Sequence, residues 1–435
     1  MLLDKQKSIP LYYQIYTYYK NALITQTLSA NEKLPSIRTF AKTHHVSTTT
    51  VEKAYQQLLV EGYIESIPKS GFYTQAIDIT PSTKPSKPSI NDPYQNTPNI
   101  NQSYNTFDID RLRRITQSVY FQYKKNLFTP NHPQGEPLLR KALLNHLYKE
   151  RGIQALKEQM ILAPGMQNLL IILKALFSSS PTVAYLNPGY GPAIHTFDFI
   201  EFKTQGYDTI NDLLKTQPDI IYLSPSNHYP TGEVLSIKDR LKVIDYAKNH
   251  NAYIIEDDYN HIYRYNAYQI PSMHSIASGN QVIYIGSLSR SLLVSMRLSY
   301  MILPTNFIKN KMKTIQTFTP TLSKLEQLTL YEYIRQGHFH KQLKKTYALS
   351  KRKNEWLQNL IKTYPMKTIQ ISGLNSNMHI LLTTTNTDPI ITFLNDLTYS
   401  YKQINNTVLI PYNGLDLDEL TSLIQGISSL DFKKT

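Results

Sequence analysis

Cysteine is absent from this 435-residue chain. That excludes disulfides, thiolate zinc sites and thiol nucleophiles together, so any chemistry must rest on other groups. Also missing is an apolar run of the roughly eighteen residues that a membrane-spanning helix needs. The opening stretch "MLLDKQKSIPLYYQ" lacks the basic-then-apolar pattern of an export signal. The expectation is a soluble, cytoplasmic protein with no membrane partner. Acidic residues are scarce, with 32 Asp+Glu against 46 Lys+Arg and a net charge of +14, which points to a polyanionic partner. Residues 1–74 hold eight Lys/Arg against five Asp/Glu, so most of the excess lies further along. A nucleic acid held by the N-terminal region could therefore touch the rest of the chain as well.

The length exceeds what one hydrophobic core usually serves, so a large domain with at least one smaller one is expected. No internal repeat is visible. Three regions are legible: 1–75, 76–105 and 106–435. In the first, "IPLYYQIYTYYKNALI" places Leu11, Ile15, Tyr19 and Leu23 at four-residue steps behind Pro10, which is one face of a packing helix. A short helix from Ser36 follows, then a turn around 44–46 and a second helix from Ser47 with Val51, Ala54, Tyr55, Leu58 and Leu59 inward. Both serines can act as N-caps. The alternation from Tyr63 to Tyr73 around "IPKSG" reads as a hairpin. Two short helices and a hairpin make a winged helix-turn-helix in outline.

Region 76–105 is rich in Pro, Ser, Asn and Thr and has no periodicity, so it reads as a flexible linker that lets the flanking domains sit far apart. After it, short apolar runs alternate with helical patterns: "TVAYL", "DIIYL", "AYIIED", "QVIYIG" and "LSYMIL". Such alternation implies a mainly parallel sheet covered on both faces. From about Asn306 the pattern becomes long helices followed by "NMHILL" and "TVLIPY", a smaller α+β subdomain.

The N-terminal region carries chemistry suited to DNA. Ser47, Thr48, Thr49 and Thr50 open a helix, where free N–H groups and hydroxyls favour phosphates or base edges. Arg38 lies just past the Ser36 cap, from where a guanidinium can grip guanine or phosphate with two hydrogen bonds. Lys53 and Lys69 add backbone contacts, and Ser70 and Gly71 form a wing tip small enough for the minor groove. The plainer reading is that these serines and threonines only cap and solubilise a helix. The segments "PLYYQI", "LPSIR", "VSTTTVEKAYQQLLVEGYI" and "KSGFYT" resemble, in order and spacing, the GntR-type winged helix. The resemblance implies sequence-specific binding of double-stranded DNA, with the helix from Ser47 in the major groove. Thr48 stands where that family often has arginine, so direct readout there is expected to be weaker.

From about Phe107 onward, "QGEPLLRKALLNHLYKERGI", "LAPGMQNLL", "LNPGYGP", "SPSNHYPTGEVLS", "EDDYNHIYRY", "IYIGSLSRSLLVSMRLSY" and "RQGHFHKQLKKTYALSKRK" resemble the fold-type I aminotransferases. Joined to the winged helix, the whole is similar to the MocR subfamily of regulators. The resemblance implies a pyridoxal-phosphate-type pocket. Asp257 would pair with the ring nitrogen, Tyr190 would stack on the ring and Tyr259 would reach the ring oxygen. Gly165, Met166 and Gln167 would hold the phosphate at a helix start, with Arg297 as its cation. Each of these has a plainer alternative as cap, packing residue or ion-pair partner.

One part is missing. The family's Schiff-base lysine follows "S-x-S", and here that position is Arg290; no lysine occurs between Lys248 and Lys309. A guanidinium stays protonated and delocalised and cannot attack an aldehyde. Arg290 is then either a drift product or a new anion clamp acting with Arg297. Two guanidiniums in a buried site would be costly unless an anion or an internal carboxylate such as Asp257 met them. The family's substrate-carboxylate arginine falls at or near Leu409, and "HYPTG" lacks the Asn of "NPTG". His338 and His340 have i, i+2 spacing and point apart on a helix, so no metal site is expected; their basic surroundings, 341–353, read as a solvated face or a DNA-facing one.

The expectation is a regulator with no catalytic residue and no covalent cofactor. It would form a head-to-tail homodimer on two DNA half-sites and sense an unidentified small-molecule effector. Retention of non-covalent pyridoxal phosphate or another anion is one alternative, and an active aminotransferase with an accessory head is another.

Overall fold

In a computed structural model of the chain, residues 3, 9–25, 27–75, 107–259, 270–289, 292–318, 322–374 and 379–432 are described. The expected linker 76–105 and Arg290 lie outside them. The chain divides into two compact units, Met1–Gln95 and Asn96–Thr435.

The first unit has helices α1 (Leu11–Ile24), α2 (Ile37–His44) and α3 (Thr48–Val60) and strands β1 (Ile64–Ile67) and β2 (Gly71–Thr74). The caps are those read from the sequence: Ser36 Oγ accepts from Thr39 N–H, and Ser47 Oγ accepts from Thr50 N–H, each at 3.2 Å. Each cap contributes about 1 kcal/mol. His45, in the left-handed region at φ 52°, ends α2 and turns the chain into α3. Strands β1 and β2 pair antiparallel from Ile64↔Thr74 to Ile67↔Gly71, and Lys33 bridges to Tyr73 alongside. Ile15, Tyr19, Phe40, Val51, Tyr55, Leu58 and Ile64 close the core, with the Tyr55 hydroxyl donating to Pro35 O.

The second unit is built on a seven-stranded sheet ordered β3-β9-β8-β7-β6-β4-β5. Its strands are β3 (Met160–Pro164), β4 (Thr182–Leu186), β5 (Lys203–Tyr207), β6 (Ile220–Leu223), β7 (Tyr253–Asp257), β8 (Val282–Ser287) and β9 (Leu298–Ile302). Only β9 runs against the others, antiparallel to both β3 and β8. Apolar clusters cover both faces, as the near-continuous hydrophobic strands require. The small subdomain is a four-stranded antiparallel sheet ordered β10-β11-β13-β12. Its strands are β10 (Gln370–Ser372), β11 (His379–Thr383), β12 (Lys402–Ile404) and β13 (Thr407–Pro411), packed with the helices His338–Thr363, Asp388–Asp396 and Leu417–Phe432. The sequence pattern did not single out β3, β5, β10 or β12. Of these, β5, "KTQGY", carries few apolar residues because it is the sheet's edge.

The basic stretch 341–353 is solvated on one side only. Lys341, Lys344, Lys345, Lys351 and Arg352 are exposed, but Lys353 is buried and donates to Asn413 O at 2.8 Å. The reading of a wholly solvated face is corrected at that residue, where helical periodicity turns a lysine inward.

On the short helix Met273–Ile276, His274 is 1 % exposed and neither ring nitrogen has a hydrogen-bond partner among the described residues. Burial depresses its pKa to about 4. The unfolded chain therefore takes up a proton near pH 6.5 that the folded chain refuses until about pH 4, and stability falls as pH drops through that window. Glu256, raised to about 7 by burial and the neighbouring Asp258, acts in the opposite sense as pH rises towards 7. Replacing His274 by leucine isolates the first effect. In urea unfolding at pH 7 and pH 5, the variant should lose about 2 kcal/mol less stability on acidification than the wild type. Parallel curves would show that His274 titrates normally in the folded chain.

Candidate functional site

In the second unit, the reversed strand β9 assembles the site. Leu298 pairs with Pro164 at the carboxyl end of β3, so the residue before Leu298 and the residue after Pro164 become neighbours. These are Arg297 and Gly165. Gly165 has φ +87°, and a Cβ placed on it would lie 2.8 Å from Arg297 Nη2. It is also the N-cap of the helix Met166–Lys174, whose first N–H groups have no partner within the helix. A guanidinium over a helix N-terminus is a cradle for a phosphate or carboxylate. On the other side of β9, Ser287 pairs with Ser299.

A cavity of about 270 Å³ opens there, at the carboxyl edge of the parallel strands. Seven residues picked out from the sequence line it: Gly165, Met166, Gln167, Tyr190, Asp257, Tyr259 and Arg297. They come from four separate stretches of chain. Pro192, Ile285, Gly286, Ser287, Ser289 and Ser299 complete the wall and were not foreseen. The serines follow from strand register, which spacing along the chain does not reveal. No lysine lines the cavity among the described residues.

Asp257 is 4 % exposed and its Oδ2 accepts a 2.7 Å hydrogen bond from the Tyr222 hydroxyl. Burial, with the Asp257 carboxylate beside it, pushes the Tyr222 phenol well above its ordinary pKa, so it remains a donor. Tyr222 was missed; it pairs with Ile255, two residues before Asp257 on β7, and that register is the signal that could have found it. The alternation of β7 turns Glu256 away from Asp257, and Asp258 is engaged elsewhere. Asp258 Oδ2 accepts from Arg151 Nε and from the Tyr284 hydroxyl, both at 2.7 Å. Glu256 accepts from the backbone N–H groups of Met273 and His274. Of three consecutive acids, only Asp257 lines the cavity.

Arg297 is exposed and makes no ion pair among the described residues. The expected burial cost therefore does not apply to it, because its guanidinium lies at the cavity wall and not in the core. Arg290 is outside the described residues. From the cavity an aromatic path runs to the small subdomain. Tyr190 lies edge-on to Tyr229 at 5.4 Å, and Tyr229 to His379 on β11 at 5.7 Å. His379 Nε2 also donates to Pro230 O. Leu409 pairs with Leu381, so it shares the face of His379 and Leu381, while Val408 and Ile410 enter the subdomain core. It does not line the cavity.

The residues present fit the non-covalent half of pyridoxal phosphate binding. Gly165, Met166, Gln167 and Arg297 suit the phosphate, Tyr190 and Tyr259 suit the ring, and the buried Asp257 carboxylate suits a protonated ring nitrogen. They supply no amine for a covalent bond among the described residues.

In the first unit, Ser36, Arg38, Ser47, Thr48, Thr49, Lys53 and Lys69 are exposed. Several are already engaged. The Ser47 hydroxyl meets those of Thr49 at 2.9 Å and Thr50 at 2.7 Å, beside the cap bond that it accepts from Thr50 N–H. Lys53 Nζ sits 4.2 Å over the Tyr12 ring, and Ser70 Oγ is 2.7 Å from the Tyr73 hydroxyl beside Gly71 in the wing. Arg38, the second residue of α2, has no ion-pair partner among the described residues.

The cradle has a direct test. Gly165→Ala must place a methyl group against Arg297 in a strained backbone conformation, so calorimetric binding of inorganic phosphate should weaken by about tenfold or more. Unchanged binding would place the phosphate elsewhere.

Residues 11–74 match the bacterial regulatory proteins of the gntR family, and residues 101–392 match aminotransferase class I and II. The chain is 33 % identical over 397 residues to the uncharacterized HTH-type transcriptional regulator YdeL of Bacillus subtilis, covering 87 % of this chain and 85 % of that protein. It is 24 % identical to the probable rhizopine catabolism regulatory protein MocR of Rhizobium meliloti, over 79 % of this chain and 76 % of that one. Among solved structures, a kynurenine aminotransferase of Pyrococcus horikoshii shares the fold with a TM-score of 0.66 at 17 % identity, covering 76 % of this chain and 88 % of the other. With a gntR-family head before an aminotransferase-fold domain, and relatives of the same two-part build along most of its length, the chain belongs to the HTH-type transcriptional regulators of the MocR kind.

Proposed function

We propose that this regulator uses its aminotransferase-fold domain to bind a small anionic effector and not to catalyse transamination. The observation that carries the reading is a cavity lined by groups suited to a phosphate, an aromatic ring and a protonated ring nitrogen, with no lysine in its wall among the described residues. Arg290 occupies the sequence position of the missing amine. A guanidinium cannot serve as the nucleophile at physiological pH, but it can hold a phosphate or carboxylate. Leu409, at or near the sequence position of the family's substrate-carboxylate arginine, supports the same reading, since a leucine cannot anchor a carboxylate.

Pyridoxal phosphate, when bound, supplies an electron sink for amino-acid chemistry. Here Arg297 and the helix start at Gly165 would hold its phosphate, and Asp257, fixed by Tyr222, would hold its ring nitrogen. The same groups suit other small anions with an aromatic ring. Effector binding acts on DNA only through a differential affinity for two arrangements of the protein. In this reading the chain forms a head-to-tail homodimer, and its two winged helices read two half-sites.

Two experiments test this. Mixed with pyridoxal phosphate and reduced with borohydride, the wild-type protein should carry no stoichiometric label on a 281–303 peptide, whereas Arg290→Lys should acquire one; a labelled wild-type peptide would revive the enzyme reading. For DNA, Arg38→Ala should weaken retardation of the protein's own promoter fragment by about tenfold or more at moderate salt. Undiminished binding would move the contact away from α2.

A further inference from the structure

We propose that His146, Glu150 and His340 form a binding site for a divalent transition-metal ion of the zinc class, sharing no residue with the cavity above. His146 and Glu150 are four residues apart on the helix Pro137–Arg151, so they share one face. His340 is the third residue of the helix His338–Thr363. The two helices meet where His146 packs edge-on against Phe339 at 5.1 Å, and the His146 and His340 rings are 5.1 Å apart. One potential ligand atom from each of the three side chains lies within 4.8 Å of the others. Tetrahedral zinc, with bonds of about 2.0–2.1 Å, holds its ligand atoms roughly 3.4 Å apart. Rotation of the exposed Glu150 and half-buried His340 side chains closes that gap, while the buried His146, 4 % exposed, and Phe339 anchor the site.

The donor chemistry agrees. Two imidazoles and a carboxylate are a borderline set suited to zinc and its neighbours, and a chain without cysteine can offer no softer one. Three protein ligands leave a fourth position open. His146 and His340 also line a cleft of about 520 Å³ whose walls include Lys141, Lys149 and Arg335. That positive charge opposes a bare cation and favours an anion as the fourth ligand, so the metal and an anionic small molecule would bind together. His338 takes no part: its ring lies against Tyr333 at 5.7 Å. The i, i+2 spacing argument weighed His338 and His340 only with each other and could not see side chains on a helix far away in sequence.

The test uses the full-length protein without an affinity tag. Calorimetric titration with zinc should show one ion per chain, and cobalt(II) in its place should give the intense visible bands of four-coordinate geometry. His340→Gln and Glu150→Gln should each weaken zinc by more than the roughly 10–100-fold that losing an outer-shell partner costs. The double variant should bind none, with circular dichroism unchanged, and His338→Gln should bind as the wild type does. Absence of stoichiometric zinc uptake by the wild type, or equal uptake by the folded double variant, would overturn the proposal.

Discussion

The insertion of β9, antiparallel, between β3 and β8 is the constraint on which the large unit's chemistry depends. A parallel strand there would enter the sheet from the opposite edge, and Arg297 would be at the far end from Gly165. Because β9 runs backwards, the chain arrives at the edge where the helix Met166–Lys174 begins. Sheet hydrogen bonds then hold a cation against the unsatisfied N–H groups of that helix start. The pairing is fixed from both faces. Tyr284 and Tyr300 pack on one side, Ile283, Ile285 and Met301 on the other, so a one-residue slip would turn buried side chains to the wrong face.

The same alternation divides three adjacent acids between two tasks. Asp257 turns to the cavity, where Tyr222 orients it. Asp258 turns to Arg151, which is also satisfied by Ser226 Oγ and Ile270 O. A buried ion pair is costly unless its remaining donors are met, and here the guanidinium has a partner on each nitrogen. That pair fastens the helix Pro137–Arg151 to the sheet at its last turn, one residue beyond Glu150. The helix that carries two of the three prospective metal ligands is thus held by the residue that directly follows the cavity's carboxylate.

The winged helix was legible almost in full. Capping serines, an apolar face at helical spacing and a hairpin with Gly71 are local signals, and local hydrogen bonds realise them. What was not legible is how its polar residues spend themselves. Thr49 and Thr50 complete a cap, Lys53 covers Tyr12, and Ser70 ties to Tyr73. Hydroxyls and amines are interchangeable in a sequence pattern until a neighbour claims them.

In the large unit, the amino-acid order alone determined the alternation of strands and helices and the absence of thiol chemistry. These depend on residue type and on spacing within one element, which the chain carries without folding. Only the tertiary structure decided that Tyr222 holds Asp257, that Ser287, Ser289 and Ser299 wall the cavity, that Arg297 is solvent-exposed, and that His146 and Glu150 meet His340. Those juxtapositions arise from strand register and helix packing. Both are set by which faces bury well against one another, and no spacing along the chain encodes that choice.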